Sequence, residues 1–364
     1  QSSMVATAAL LFNAARAGIR SCNLRSYSMM AQYPPVPLFY NDLYEVPLPP
    51  GHRFPMAKYR LVRLGLQREL EPSNLATFLP SPLAAVSDLT TCHDATYVER
   101  YVTGTFTPQE NRRVGFPWSI ESVKRSLSST GGTVAATHAV CNRTPGAPRF
   151  AGHLAGGTHH AFADRGEGFC VFNDIAVAAC VALRDYKESV QRVLIVDLDV
   201  HQGNGCAAIF ADNPNVFTFS MHCAGNYFSK KQNSDIDVEV QPGATDAEYL
   251  EILHSHLGNL FEQVRPQLTF FQAGVDPHEA DAFGKLKISS AGLKRRNRLV
   301  CVRQRRAIAS ELHFLVCGSL ADAQRRWRSL VCALATSLTL AKLSHTSPGL
   351  PIFSVPSLKV QLSA

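Results

Sequence analysis

Three short runs constrain the fold of this chain more than any other feature: "RVLIVDLDVHQGNG" (192–205), "NVFTFSMH" (215–222) and "LTFFQAGVD" (268–276). Each is β-branched or aromatic, too short for a helix of ordinary length, and closed by polar residues. Between the last two lies "DAEYLEILHSHLGNLFEQV", whose apolar residues recur at helical spacing, and ahead of all three lies the apolar helical stretch "FNDIAVAACVALRDY". Strands that alternate with helices build a mostly parallel sheet flanked by helices, because each parallel crossover needs a helix to carry the chain back. An α/β single domain from about residue 36 to 300 is therefore expected. Upstream, "SVKRSLSSTGGTVAATHAV" has helical spacing that Gly131 and Gly132 are expected to interrupt.

In open parallel sheets functional residues gather beyond the carboxyl ends of the strands. In "VLIVDLDVHQGNG", Asp197, Asp199 and His201 recur with period two, which on an extended strand turns them to one face. Two carboxylates on an apolar strand repel and resist desolvation unless a cation compensates them. The third run delivers a further carboxylate, Asp276. Two carboxylates and one imidazole leave room for water on a dication, the pattern of a catalytic rather than a structural zinc site. The stretch "GGTHHAFADRGEGFC" sets His159 and His160 between glycine-rich turns, and alone it reads more readily as solvated turn histidines than as a functional pair.

Taken in order, "GGTHHAFADRGEGFCVFNDIAVA", "VLIVDLDVHQGNG", "SMHCAGNYF" and "QAGVDPHEADAFGKL" resemble the active-site blocks of the zinc-dependent histone deacetylase family, which has the arginase/deacetylase fold; the "HQGNG" form is most similar to class IV and its plant and bacterial relatives. The resemblance implies that Asp199, His201 and Asp276 bind Zn²⁺, with Asp197 behind His159. It places His159 and His160 beside the attacking water, one as general base and the other holding or delivering a proton to the leaving amine. Asn204 stands where other branches place an aspartate behind the second histidine, so His160 is expected to be less biased toward imidazolium. Gly168, Phe169 and Phe228 match the walls of the family's lysine tunnel. Phe283 takes the rim position where polyamine-selective relatives carry an acid. Main-chain carbonyls around Asp197, Asp199, His201 and Met221, with the Ser220 hydroxyl, resemble the family's potassium (K⁺) site. The implied substrate is an acylated lysine of a protein, histone or not, with implied roles in chromatin regulation.

The carboxyl end departs from the pattern. A relative would reach a glycine-rich turn ending in a tyrosine that holds the developing oxyanion; here no tyrosine follows Tyr249, and Gly318-Ser319 supplies no phenol. "ELHFLVCGSL" still has the character of a strand and a glycine turn. Residues 301–364 are thus expected to be a divergent basic tail standing in place of the last sheet strands. Loss of one oxyanion donor costs about 10²- to 10³-fold in turnover. The alternatives are a catalytically silent zinc-binding acyl-lysine reader or partner subunit and, further off, a binuclear ureohydrolase of the same fold.

Residues 1–41 carry three arginines and no acid, and 294–364 carry 12 basic residues against Glu311 and Asp322; of the chain's 36 basic and 29 acidic residues this leaves 21 and 27 in residues 42–293. The basicity lies at the ends, without aromatic interleaving in the core, so no sequence-specific nucleic acid partner is expected. No apolar run approaches the roughly 20 residues that span a bilayer, and no membrane partner is expected. Ten cysteines without a C-x-x-C pair fit a reducing compartment. Residues 1–35 read as a transit peptide to mitochondrion or plastid, or as a disordered leader of a nuclear or cytoplasmic protein.

Overall fold

The computed structural model describes residues 34–307, apart from Arg143, Pro145, Gly146 and Phe228, together with residues 313–317. Its centre is an eight-stranded sheet: β1 (Val36–Tyr40), β2 (Ala76–Pro80), β3 (Phe150–His153), β4 (Val193–Asp197), β5 (Val216–Cys223), β6 (Ile236–Val240), β7 (Leu268–Gln272) and β8 (His313–Cys317). The order is β2-β1-β3-β8-β7-β4-β5-β6, and every neighbouring pair is parallel. The helices that matter for the site are α1 (Lys58–Leu70), α2 (Ile120–Cys141), α3 (Asp174–Asp185), α4 (Asn204–Phe210), α5 (Asp246–Val264) and α6 (Ser290–Ala307).

The strands read as continuous apolar runs because both faces of the sheet are covered. Along β4, Val193 and Ile195 enter one core with α2 and α3, while Leu194 and Val196 enter another with α5 and α6. On β1, Leu38 packs with Val62, Leu66 and Leu70 of α1, and its neighbour Phe39 joins the α2 and α3 side. Burial of this kind contributes about 25 cal/mol per Å² of apolar surface.

Two local expectations are revised. Helix α2 runs unbroken through Gly131 and Gly132. A Cβ at Gly131 would press on the backbone of Pro82, Leu83 and Ala84, and one at Gly132 on Ser81 and His153, so these glycines let a helix lie against the loop after β2. Strand β4 ends at Asp197, and Asp199 and His201 lie in the bend beyond it. There the backbone N–H of Asp199 donates to Asp197 Oδ1 (3.1 Å) and that of His201 to Asp199 Oδ1 (3.0 Å), so side-chain-to-backbone turns, not the pleat, keep the three groups together. Beyond residue 300, the strand character of "ELHFLVCGSL" is met by β8, which lies between β3 and β7 with Phe314 opposite Phe150 and Thr269.

Candidate active site

The sheet register sets the site. Asp197, the last residue of β4, pairs with Gln272 at the end of β7 and with Ser220 on β5. The loops after β4 and β7 therefore leave the sheet side by side, one carrying Asp199 and His201 and the other Asp276. Buried Arg296 of α6 fastens both loops, its guanidinium donating to Leu198 O (3.1 Å), Gly274 O (2.7 Å) and Ala273 O (3.2 Å).

Asp199, His201 and Asp276 each bring a ligand atom within 4.8 Å of the others. His201 Nδ1 lies 3.0 Å from Asp199 Oδ1 and 3.2 Å from Asp276 Oδ2, while Asp276 Oδ1 accepts from the Val200 N–H at 2.9 Å. Burial and the neighbouring Asp199 push the Asp276 carboxyl above its ordinary range. Burial alone would lower His201, but hydrogen bonds to Asp199 and Asp276 outweigh it and raise its pKa to about 10. Two buried carboxylates converging on one imidazole are a donor set suited to a dication. The residues fit a metal such as Zn²⁺.

The His-His turn is held from beneath by the start of α3. Asp174, fully buried, accepts from the N–H groups of Gly157 (3.0 Å) and Thr158 (2.6 Å) and from the hydroxyls of Thr158 (2.7 Å) and Thr133 (2.5 Å). Asn173 caps α3 through Ala176 N and donates to the carbonyls of His159 (3.4 Å) and Ala161 (3.0 Å). The rings of His159 and His160 lie 4.1 Å apart, and that of His160 lies 5.9 Å from that of His201. His159 Nδ1 donates to Asp197 Oδ2 at 2.5 Å, and His160 Nδ1 to Asn204 Oδ1 at 2.7 Å. Burial works against charge on both rings, but Asp197 and Asp199 overcome it at His159 and raise its pKa to about 9. At His160 burial and the charges of His159 and His201 dominate, and its pKa falls well below the usual value despite the Asn204 hydrogen bond.

These groups open into one cavity of about 820 Å³ lined by His159, His160, Gly168, Phe169, Asp199, His201, Asp276 and Phe283. Gly168 (φ 58°) and Phe169 (φ 65°) are both left-handed, a conformation a bulky residue rarely adopts. It turns the Phe169 ring against Phe54 and Phe116, at 5.1 and 5.2 Å between centroids. At Gly168 a Cβ would lie 2.7 Å from the Tyr227 hydroxyl and 2.9 Å from His160 Cδ2. Phe283 is at the rim, 38% exposed, with the Arg53 guanidinium 5.9 Å from its ring centre. Phe228 lies outside the described residues, as do Gly318 and Ser319.

Several residues in or around the cavity wall escaped the sequence reading. Tyr227 stacks on His160, with centroids 4.2 Å apart and planes 11° from parallel. Buried Glu167 accepts from Asn204 Nδ2 (2.7 Å), the Tyr227 hydroxyl (3.3 Å) and the Ser229 hydroxyl (3.2 Å). Its signal was an acid between two glycines in "GEGFC". Lys58 is almost wholly buried in the cavity wall, its ammonium 4.3 Å from the centre of the Phe54 ring, and desolvation lowers its pKa. Tyr249, the last tyrosine of the chain, is fully buried in the α5 core rather than in the cavity wall.

Comparison with known proteins agrees with this geometry. The family described as "Histone deacetylase domain" matches residues 52–331. An uncharacterized protein of Picosynechococcus sp. is 45% identical over 267 residues, 72% of this chain and 85% of that protein. Histone deacetylase 2 of Arabidopsis thaliana is 35% identical over 47% of this chain and 43% of its own length; histone deacetylase clr6 of Schizosaccharomyces pombe is 30% identical over 66% and 61%. The matches thus span less than two thirds of either curated deacetylase. The crystal structure of the HDA15 HD domain superposes with a TM-score of 0.70 at 20% identity, covering 87% of this chain and 90% of that one, and so shares the fold.

Proposed function

The chain belongs to the histone deacetylase family, and from that premise we propose that it is a Zn²⁺-dependent hydrolase that removes acetyl or related acyl groups from lysine side chains of proteins. The observation that carries the reading is the convergence of Asp199, His201 and Asp276 with two differently wired histidines in one cavity. Zn²⁺ held by those three residues would supply Lewis-acid polarisation of the acyl carbonyl and lower the pKa of water to about 7.

The chain's own groups divide the proton work. Because His160 Nδ1–H donates to an amide oxygen, its Nε2 carries the lone pair and is suited to take the proton of the attacking water. His159 Nδ1–H donates to a carboxylate, which stabilises its imidazolium, so it holds or delivers the proton to the leaving amine. Phe169 and Tyr227, both in the cavity wall, would flank the apolar lysine stem. Phe283 at the rim offers no carboxylate to a polyamine and favours a protein lysine. Asn204 supports placement near the class IV branch.

The test is turnover of a fluorogenic acetyl-lysine peptide by zinc-quantified protein, with Asp199→Ala as blank. Zinc-dependent turnover above the blank is expected, abolished in His160→Ala with zinc still bound. Stoichiometric zinc without turnover would instead favour a silent acyl-lysine-binding protein, the reading suggested by the absence of a tyrosine after Tyr249.

A further inference from the structure

Where His159 has a carboxylate on its Nδ1, His160 has the Asn204 amide, and a buried neutral partner leaves a working histidine poorly oriented: an amide can turn over and offer N–H in place of oxygen. The structure closes this gap from an unexpected direction. Asn204 Nδ2 donates to Glu167 Oε1 at 2.7 Å while its Oδ1 accepts from His160 at 2.7 Å. Glu167 is 5% exposed and pairs with no Lys or Arg among the described residues. Its remaining bonds go to the Ser229 hydroxyl and to the Tyr227 hydroxyl, and Tyr227 is the residue stacked on the face of His160. One carboxylate thus governs both the edge and the face of the same imidazole.

Resting on the proposed function, we infer that Glu167 is the positioning residue for His160. Acting through Asn204, it fixes the Nδ1–H tautomer and leaves Nε2 as the acceptor in the cavity; acting through Tyr227, it fixes the plane of the ring. A carboxylate can only accept hydrogen bonds, so Asn204 must turn its NH₂ toward Glu167 and its oxygen toward His160. The charge absent beside His160 is supplied one amide further away, attenuated but of the same sign. Glu167 is not among the residues lining the cavity, and its side chain bonds none of Asp199, His201 or Asp276, so its effect belongs mainly in kcat.

Two readouts test this, and the first needs no activity. In zinc-loaded protein with ¹⁵N-labelled histidine, side-chain NMR of His160 is expected to show a single Nδ1–H tautomer in the wild type and a mixture in Glu167→Ala; the same single tautomer in both overturns the inference. In the peptide assay, Glu167→Ala is expected to lower kcat at least tenfold with KM within twofold. Glu167→Gln, which keeps an acceptor for Asn204 but no charge, is expected to fall between. The paired variant Asn204→Asp/Glu167→Gln moves the carboxylate next to His160 and is expected to recover kcat to within about threefold of wild type. A Glu167→Ala protein that keeps its melting temperature, zinc and kcat would refute the inference, as would a double variant no better than Glu167→Gln. If the wild type itself turns over no acyl-lysine, the proposed function fails while the tautomer measurement still decides the role of Glu167.

Discussion

Replacing Asp174 by alanine removes the support of the His-His turn without touching a proposed ligand or catalytic ring. The carboxylate is fully buried and accepts from four donors. The two hydroxyls have other partners, since Thr158 Oγ1 donates to Phe172 O (2.6 Å) and Thr133 Oγ1 lies 2.9 Å from His153 Nδ1. Among the described residues, the N–H groups of Gly157 and Thr158 have no other hydrogen-bond partner once the carboxylate is gone. Each orphaned buried N–H costs about 1–3 kcal/mol, so the loss should be about 2–6 kcal/mol, a large fraction of a typical 5–15 kcal/mol. Asp174→Asn keeps one acceptor oxygen and should lose about half as much. Urea unfolding followed by circular dichroism at matched zinc occupancy measures both. An Asp174→Ala midpoint equal to wild type, with an unchanged m-value, would refute the claim that this carboxylate holds the turn.

Other consequences concern packing, acid and the cavity wall. Gly131→Ala, which stabilises an exposed helix by about 1 kcal/mol, should here destabilise by about 2 kcal/mol in thermal unfolding, because the Cβ meets the backbone of residues 82–84. Burial holds His153 down to about 3 and His93 down to about 4, so the folded state keeps both neutral where the unfolded chain protonates them. Their stabilisation is present above pH 6.5 and is lost as pH falls toward 4, at about 1.4 kcal/mol per pH unit for each; His153→Asn should flatten that slope in unfolding measured from pH 7 to 4. Tyr227→Phe keeps the ring over His160 but loses the hydroxyl bond to Glu167 and should cost about threefold in kcat/KM, whereas Tyr227→Ala, which loses the ring as well, should cost about tenfold or more.

The sheet was legible because its strands are buried on both faces: the runs ending at Asp197 and Gln272 are continuous apolar segments, a pattern that survives without knowledge of their neighbours. The metal-ligand candidates were legible for the same reason, as carboxylates with no structural excuse at the ends of apolar strands. What failed was set by contacts distant in sequence. Gly131 and Gly132 read as a helix break because the loop at Ser81–Ala84 that needs their small size is some 50 residues away. Tyr227 and Glu167 were missed because one stacks on His160 and the other bonds Asn204 across 37 residues, neither visible as spacing within a motif. The bend carrying Asp199 and His201 was read as strand because its period of two is shared by side-chain-to-backbone turns.

The central claim is a hydrolytic metal centre at Asp199, His201 and Asp276, and it is tested most directly by titrating metal-free protein with Zn²⁺ while following bound metal and peptide deacetylation together. Activity rising in proportion to occupancy and reaching its plateau at one Zn²⁺ per chain, with both lost in Asp276→Asn, is the predicted result. Zinc that binds with the same affinity in Asp276→Asn, or activity that does not follow occupancy, would contradict it.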